Sequence, residues 1–424
     1  MVESSTLLKI LNDSVFTTAA DAALHNMDIL RRKIERVMVS DAPFKWFSPV
    51  SLLTVVSIVY GAAVKLRASA YRSGRLAARK LPCKVISIGN ITTGGTGKTP
   101  MTLYLAERLQ HSGWRAAVVS RGYRGGAEKN GGIVSDGRKM LLNATAAGDE
   151  PYLLASRLLS AAVPVVVGRK RYDAGMLAIK RFKPDVVLLD DAFQHLQLSR
   201  DIDLVLLDCR RPFGNTYLLP RGTLREPMSA LSRGHIFIQT RTALGSNRIG
   251  CETLSTGLLR GRSIYRSVHV PELVSWIEAG RCMADHATER LEAADTKRLA
   301  GRRVFAFAGI ADNSDFKKTI QGLNCDLRGF MGFADHHHYL DRDVAVLLKT
   351  ARRSGARVLC TTEKDAVRMA PHRQWPMDLV VIGVGISFGG DGAAFEAEIV
   401  KRLGSKRGDG VRVRKHSRTG QYPA

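Results

Sequence analysis

Ile88-Gly89-Asn90-Ile91-Thr92-Thr93-Gly94-Gly95-Thr96-Gly97-Lys98-Thr99-Pro100 stands between an apolar run, Val85-Ile86-Ser87-Ile88, and a segment of helical character, Thr99 to Gln110. Strand, glycine-rich loop, Lys-Thr and helix is the layout of a phosphate-binding loop. Glycines let backbone N–H groups converge on an anion, and the helix N-terminus adds partial positive charge. On this reading Thr92, Thr93, Gly94, Gly95, Thr96, Gly97, Lys98 and Thr99 hold a nucleoside triphosphate. Lys98 reaches the β- and γ-phosphates, and the Thr99 hydroxyl ligates Mg2+. Pro100 falls in the first helical turn, where a missing N–H costs nothing. The usual pattern has glycine six residues before the lysine, where this chain has Thr92. Gly94 and Gly95 are expected to supply the sharp turn instead. The competing reading is a glycine-rich turn without ligand, and the flanking strand and helix argue against it.

A chain of 424 residues carrying a net charge of +25 is long enough for two domains and calls for an anionic partner. Nucleic acid is not expected, because no basic groove interleaved with aromatics is evident. The six cysteines are scattered without a C-x-x-C pair, so reduced thiols and a cytoplasmic setting are expected, with neither zinc nor disulfides. From Ala42 to Ala106 there is no acidic residue, and Phe47 to Val64 carries no charge. That run just reaches the lower limit for spanning a bilayer. Lys65, Arg67, Arg72, Arg75, Arg79, Lys80 and Lys84 follow it, and Phe44, Trp46 and Phe47 precede it. Apolar run, interfacial aromatics and basic collar together predict attachment to an anionic membrane surface. The alternative is a buried helix at a domain edge.

Further along, the text becomes α/β. Strand-like runs fall at Val85–Ile88, Ala116–Ser120, Val163–Val167, Val186–Leu189, Leu204–Leu207 and Ile236–Gln239, with helical patterns at Glu150–Ser160 and Tyr172–Arg181. This alternation predicts a mainly parallel sheet with helices on both faces and ligands at the carboxyl ends of strands. A second set reads Val304–Ala308, a helix near Ser314–Gln321, Val358–Cys360 and Leu379–Ile382. The expected fold is therefore α/β: a P-loop NTPase-like, mainly parallel sheet domain, a second and smaller α/β domain, and an N-terminal membrane-associating helix. The expected boundaries are an extension at 1–41, the helix and basic collar at 42–84, the phosphate-loop domain at 85–245, the second domain at 246–404 and a disordered basic tail at 405–424.

Other segments carry chemistry. Val186 to Asp190 reads as a buried strand that ends in paired acids, Asp190-Asp191, followed by Gln194-His195. Carboxylates there hold Mg2+ or its waters beside a phosphate loop. Asp208, at the end of another apolar strand, is the rival. Gly148-Asp149-Glu150-Pro151 opens a helix, where Asp149 suits an N-cap as well as a catalytic role. Leu224-Arg225-Glu226-Pro227 joins a guanidinium to a carboxylate. Phe333 to Tyr339 contains three consecutive histidines, which regular structure cannot aim at one metal; one of them is a candidate for proton handling.

In this order, the loop, Ser120-Arg121-Gly122-Tyr123-Arg124-Gly125, Gly148 to Leu154, Leu189-Asp190-Asp191 with Phe193-Gln194-His195, Leu219 to Pro227, Phe333 with Asp335-His336, and Thr362-Glu363-Lys364-Asp365-Ala366 resemble the tetraacyldisaccharide 4′-kinase family, from about Ala42 to about residue 404. The resemblance implies an enzyme on the cytoplasmic face of the bacterial inner membrane. It would move the γ-phosphoryl of ATP to the 4′-hydroxyl of an acylated glucosamine disaccharide 1-phosphate, giving lipid IVA. It implies Asp149 as the base, paired with His336, and Arg225 and Lys98 on the phosphates. Thr99, Asp190, Asp191 and Glu226 would serve Mg2+, and Arg121 and the basic block before Val85 are candidates for the substrate's 1-phosphate. The family's usual glycine after the paired acids is Ala192 here. Family members begin near the segment that is Ala42-Pro43-Phe44 here, so translation from Met38 is expected to suffice. The alternative function is a membrane-bound P-loop ATPase switch that positions partner proteins.

Overall fold

The computed structural model describes residues 37–38, 48–242, 257, 259–283 and 293–404. The expected boundary at 245/246 and the expected tail at 405–424 lie outside these residues, as does nearly all of the N-terminal extension. The chain forms two compact units. One holds its described residues up to Arg75 together with Ile91–Thr93 and Arg211–Ala230; the other holds Leu76–Asn90, Gly94–Arg210 and the rest from Leu231.

In the first unit, helix α1 spans Pro49–Arg72. Ser48 caps it: its Oγ accepts from the Ser51 N–H, the Ser51 Oγ accepts from the Ser48 N–H, and Pro49 fills the first helical position. Such a reciprocal box satisfies donors that the first turn leaves orphaned. A thin stripe of α1 is turned inward. Ser57 Oγ donates to the Leu218 carbonyl at 2.8 Å, and Tyr60 Oη donates to the Arg225 carbonyl at 2.9 Å. A Cβ on Gly61 would sit 2.6 Å from Leu218 Cδ1, so the close approach needs glycine. Leu52, Val55, Val56, Ile58, Val59 and Leu66 are exposed. Among the described residues this is the one helix long and apolar enough to cross a membrane.

The second unit holds two sheets. The first comprises β1 (Lys84–Gly89), β2 (Ala116–Ser120), β3 (Gly132–Ser135), β4 (Val165–Val167), β5 (Val186–Asp190), β6 (Ile202–Asp208), β7 (Ile236–Thr240) and β8 (Ser263–Arg266), in spatial order β3-β4-β2-β5-β1-β6-β7-β8. Only β3 pairs antiparallel, on β4. The second sheet comprises β9 (Val268–Ile277), β10 (Arg303–Ala308), β11 (Asp326–Gly332), β12 (Val358–Thr362) and β13 (Asp378–Ser387), in order β11-β10-β12-β13-β9, with β9 antiparallel. The helices of this unit are α2 (Lys98–His111), α3 (Ala144–Ala147), α4 (Asp149–Leu158), α5 (Arg171–Phe182), α6 (Asn313–Gln321), α7 (Asp341–Arg353), α8 (Glu363–Val367) and α9 (Gly392–Leu403).

Both faces of each sheet are covered, and period-2 alternation allots the residues. On β5, Val186 and Leu188 join Met101 and Leu105 of α2 and Leu154 of α4, while Val187 and Leu189 join Ala174 and Ala178 of α5. In the second sheet, Phe305 and Phe307 face Val344 and Leu347 of α7, whereas Val304 and Ala306 face Phe316 and Ile320 of α6. The sheets switch at Ser267, beyond the expected boundary at 245/246, because β8 continues the first sheet. α9 also crosses over: Phe395, Ile399 and Leu403 are buried in the core of the first sheet. Short or weakly alternating strands β3, β8, β9 and β11 escaped the sequence reading. One cysteine also departs from expectation. Cys83, Cys282, Cys325 and Cys360 are free, but Cys209 is disulfide-bonded.

Candidate active site

β1 ends at Gly89, where a Cβ would meet Phe193 Cβ at 2.6 Å. The chain then turns through the loop into α2. Gly94 and Gly97 have φ of 111° and 90°, so Gly94 takes the turn expected of it, while the second left-handed position falls on Gly97 and not on Gly95. Gly97 is also constrained from behind: a Cβ there would lie 2.5 Å from His269 Nε2. Asn90 organises the loop's interior. Its Nδ2 donates to Thr96 Oγ1 at 2.9 Å, and Lys98 Nζ donates to its Oδ1 at 3.4 Å. Thr240, at the end of β7, donates its hydroxyl to the Thr96 carbonyl at 3.1 Å.

The paired acids end the neighbouring strand. Lys98 Nζ lies 3.7 Å from Asp191 Oδ1, and the Thr102 hydroxyl donates to Asp190 Oδ1 at 3.1 Å. Burial, reinforced by the carboxylates of Glu150 and Asp191, pushes the Asp190 carboxyl up to about 7. A buried carboxylate with two further acids nearby is a hard oxygen donor set of the kind that suits a divalent cation. Asp191 adopts φ 48°, and Ala192 is buried without a positive φ. The methyl that replaces the family's glycine is thus accommodated, and the unusual backbone falls on the acid before it. Among the described residues no group of three or more His, Cys, Asp or Glu is arranged to hold a metal alone. The rival Asp208 is engaged by Arg210 and Arg241.

Asp149 opens α4, after Gly148 with φ 89°. His336, 3.5 Å from Asp149 Oδ2 at its Nδ1, arrives from the loop after β11 and adopts φ 61°. The pair expected from resemblance is therefore adjacent. Burial raises the Asp149 carboxyl, but hydrogen bonds and positive charge around it prevail and hold it at about 2. His337 instead bonds Asp343 at 3.0 Å and stacks on Phe333. Arg121 is paired with Glu128 at 2.8 Å.

Thr92, Thr93, Arg225 and Glu226 belong to the first unit. There Thr93 N–H donates to the Thr223 carbonyl and Arg225 N–H to the Ile91 carbonyl, each at 2.7 Å. A short antiparallel bridge, Thr92 to Leu224, joins the same segments. The start of the loop and the Arg-Glu pair are thereby brought together, and Glu226 is buried.

Asn90, Thr240, His269 and Arg368 also shape the site, with no role expected of them from the sequence. Asn90 stood inside the quoted loop. Arg368 follows the Thr362–Ala366 motif by two positions, a spacing that puts it just past a one-turn helix. Thr240 and His269 carried no local signal.

A family model of tetraacyldisaccharide-1-P 4′-kinase matches residues 50–404. The tetraacyldisaccharide 4′-kinase of Syntrophus aciditrophicus is 41% identical over 351 residues, which cover 81% of this chain and 90% of that protein. That of Desulfatibacillum aliphaticivorans is 38% identical over 369 residues, covering 85% and 95%. Among solved structures, the Aquifex aeolicus LpxK in complex with ATP is similar, with TM-score 0.66 and 29% identity over 84% of this chain and all of that one. The chain belongs to the tetraacyldisaccharide-1-P 4′-kinase family, the ATP-dependent kinases of lipid A biosynthesis.

Proposed function

We propose that this chain transfers the γ-phosphoryl group of ATP to the 4′-hydroxyl of tetraacyldisaccharide 1-phosphate, forming lipid IVA, while attached to the cytoplasmic face of the inner membrane. The observation that carries this reading is a phosphate loop whose lysine lies beside paired acids, in the same unit as the adjacent Asp149 and His336. Gly94 to Thr99 cradle the phosphates, and Lys98 neutralises the β- and γ-oxygens. Thr99, Asp190 and Asp191 are suited to Mg2+ directly or through water, a duty that the family resemblance also gives to Glu226; the buried acids around Asp190 fit a divalent cation. Bound there, Mg2+ would spread the charge of the transferring phosphoryl group. The family resemblance gives Arg225 the same charge to stabilise. Asp149 takes the proton of the sugar hydroxyl, with His336 beside it.

The exposed apolar side chains of α1 and the basic residues from Lys65 to Lys84 support membrane attachment. At about 1.5 Å per residue, α1 is long enough to cross the hydrocarbon core or to lie in its interface. The test is incubation of purified protein with [γ-32P]ATP, Mg2+ and acylated disaccharide 1-phosphate in detergent. Labelled product at the 4′ position is expected; ATP turnover indifferent to the lipid would overturn the assignment. A chain beginning at Lys84 should move from the membrane fraction to the soluble fraction. Full-length protein soluble in low salt without detergent would remove the membrane part of the reading.

A further inference from the structure

We propose that Arg368 is the positioning residue of the proton-handling pair: its guanidinium bridges Asp149 and His336, fixes their separation and sets which ring nitrogen of His336 carries the proton. The inference rests on the reading that these two residues handle the proton.

The Arg368 side chain is 1% exposed, and its donors are spread over four groups. Nε–H donates to Asp149 Oδ2 at 2.7 Å, one terminal nitrogen donates to the Gly309 carbonyl at 3.0 Å, and the other donates to His336 Nδ1 at 3.1 Å. The nitrogen on Gly309 also lies 3.5 Å from Asp365 Oδ1. Guanidinium has donors only, so His336 Nδ1 must accept. Its ring proton then sits on Nε2, the side on which Asp335 Oδ2 lies 4.0 Å away. A nitrogen that accepts from Arg368 does not donate to Asp149. In this arrangement the two residues communicate through the arginine, which is the cation held against the Asp149 carboxylate.

The same residues fix the backbone. Asp365, fully buried, accepts from the Gly309 N–H at 3.0 Å, the Tyr339 hydroxyl at 2.9 Å and the Thr362 hydroxyl at 2.6 Å. The His336 N–H bonds the Gly309 carbonyl at 3.2 Å, the acceptor that Arg368 also uses. A Cβ on Gly309 would meet the Ala334 carbonyl oxygen at 3.0 Å and Asp365 Oδ1 at 3.1 Å. His336 is thus held at its positive φ by a buried scaffold of which Arg368 is part.

Arg368 also completes a series. Glu363, Lys364 and Arg368 each pair with α4: Arg157 with Glu363 at 2.6 Å, Glu150 with Lys364 at 2.7 Å and Asp149 with Arg368 at 2.7 Å. Arg157 bonds Glu272 of β9 as well. Two rungs share one polarity and the Arg157–Glu363 rung reverses it, so the direction in which the two helices run past each other is marked by charge. The last rung of this series is the acid that meets the substrate. A planar fork spans two acceptors in a fixed relation, which a lysine ammonium does not.

The test compares Arg368→Met and Arg368→Lys in the full-length chain in detergent. With [15N]histidine-labelled protein and a His336→Asn spectrum for assignment, the wild type should show His336 protonated at Nε2 without any substrate. The methionine variant should move the proton toward Nδ1, facing Asp149. Its kcat should fall about 100-fold, the scale expected when reacting groups are misplaced by about an ångström, with KM for ATP within about threefold. The lysine variant should recover at least tenfold of that loss. Unchanged His336 nitrogens in both variants, or wild-type kcat in the lysine variant, would overturn the proposal. If the methionine variant does not fold, the lysine variant decides alone: a partial loss of kcat with altered His336 nitrogens supports the bridge, and wild-type values for both refute it. A wild-type protein that transfers no phosphoryl group would refute the kinase reading instead, and the nitrogen spectra would still decide the role of Arg368.

Discussion

The phosphate loop is one run of chain, Asn90 to Thr99, and its shape comes from glycines at positive φ and from the start of a helix. The Asp149–His336–Arg368 cluster lies in the unit that holds Gly94 to Thr99, but it joins segments up to 219 positions apart, and its shape comes from side-chain ion pairs. Backbone geometry positions the first; buried charge positions the second. A substitution in the loop should therefore remove one function and leave the rest standing. A substitution in the cluster should be felt by every partner that shares the charge.

Lys98→Ala is the sharpest way to break this contrast, and it carries the largest expected effect. The ammonium sits near Asn90 and Asp191, beside a loop whose turn does not depend on it. Phosphoryl transfer should fall by about 10²–10³-fold or more, as when a preorganised charge is withdrawn from a transition state. The far-ultraviolet circular dichroism and the unfolding midpoint should stay near wild type. Retained transfer in the variant would remove Lys98 from the phosphate site. Lost folding would mean that the loop depends on side-chain charge after all.

The cluster predicts a different pattern. Asp149→Ala and His336→Ala should each lower kcat by about 10²–10⁴-fold, the usual range for a positioned acid–base group, with little change in KM for ATP. Residues that act as a unit share one loss, so the double variant should be scarcely worse than the poorer single one. Log-additive losses would show two independent roles and dissolve the pair, although the 3.5 Å separation would remain.

The same contrast explains what could be read in advance. Most strands of the first sheet were legible because both its faces are covered, so runs such as Val186–Leu189 are apolar throughout. The loop was legible because its chemistry is contiguous. Asp149 and His336 came from a resemblance, since neither carries a local mark beyond an N-cap acid and a run of histidines. Arg368 was not legible at all. An arginine just past a one-turn helix looks like a solvated charge until the fold closes over it. β8 hides for a related reason: Ser263–Arg266 is a four-residue edge strand with little alternation, and only its pairing with β7 reveals it. Strand ends that meet from distant parts of the sequence leave no spacing to detect.

His269 tests whether the contiguous loop is really self-sufficient, with the smallest effect of the series. It lies on β9 in the second sheet, yet its ring occupies the space where a Gly97 side chain would stand. Arg241 Nε donates to its Nδ1 at 3.1 Å, so the proton is on Nε2. Burial holds the imidazole down at about 4, only partly opposed by the nearby Asp208 carboxylate. The sign follows from proton counting. Between the ordinary histidine value of about 6.5 and the folded value near 4, the unfolded chain binds more protons than the folded one, so stability is lost as pH falls. Above about 6.5 both states are neutral at this ring and the effect vanishes. Allowing for partial solvent access, wild type should lose about 1–2 kcal/mol more than His269→Asn between pH 7 and pH 5. Asparagine keeps an acceptor for Arg241 but does not titrate, and all other groups cancel in the comparison. Urea unfolding of both proteins in detergent at the two pH values gives the difference directly. Parallel losses would mean that the ring behind Gly97 reaches water, and that the loop stands without support from the second sheet. A steeper loss in wild type would show that even the contiguous half of the site leans on a residue far along the chain.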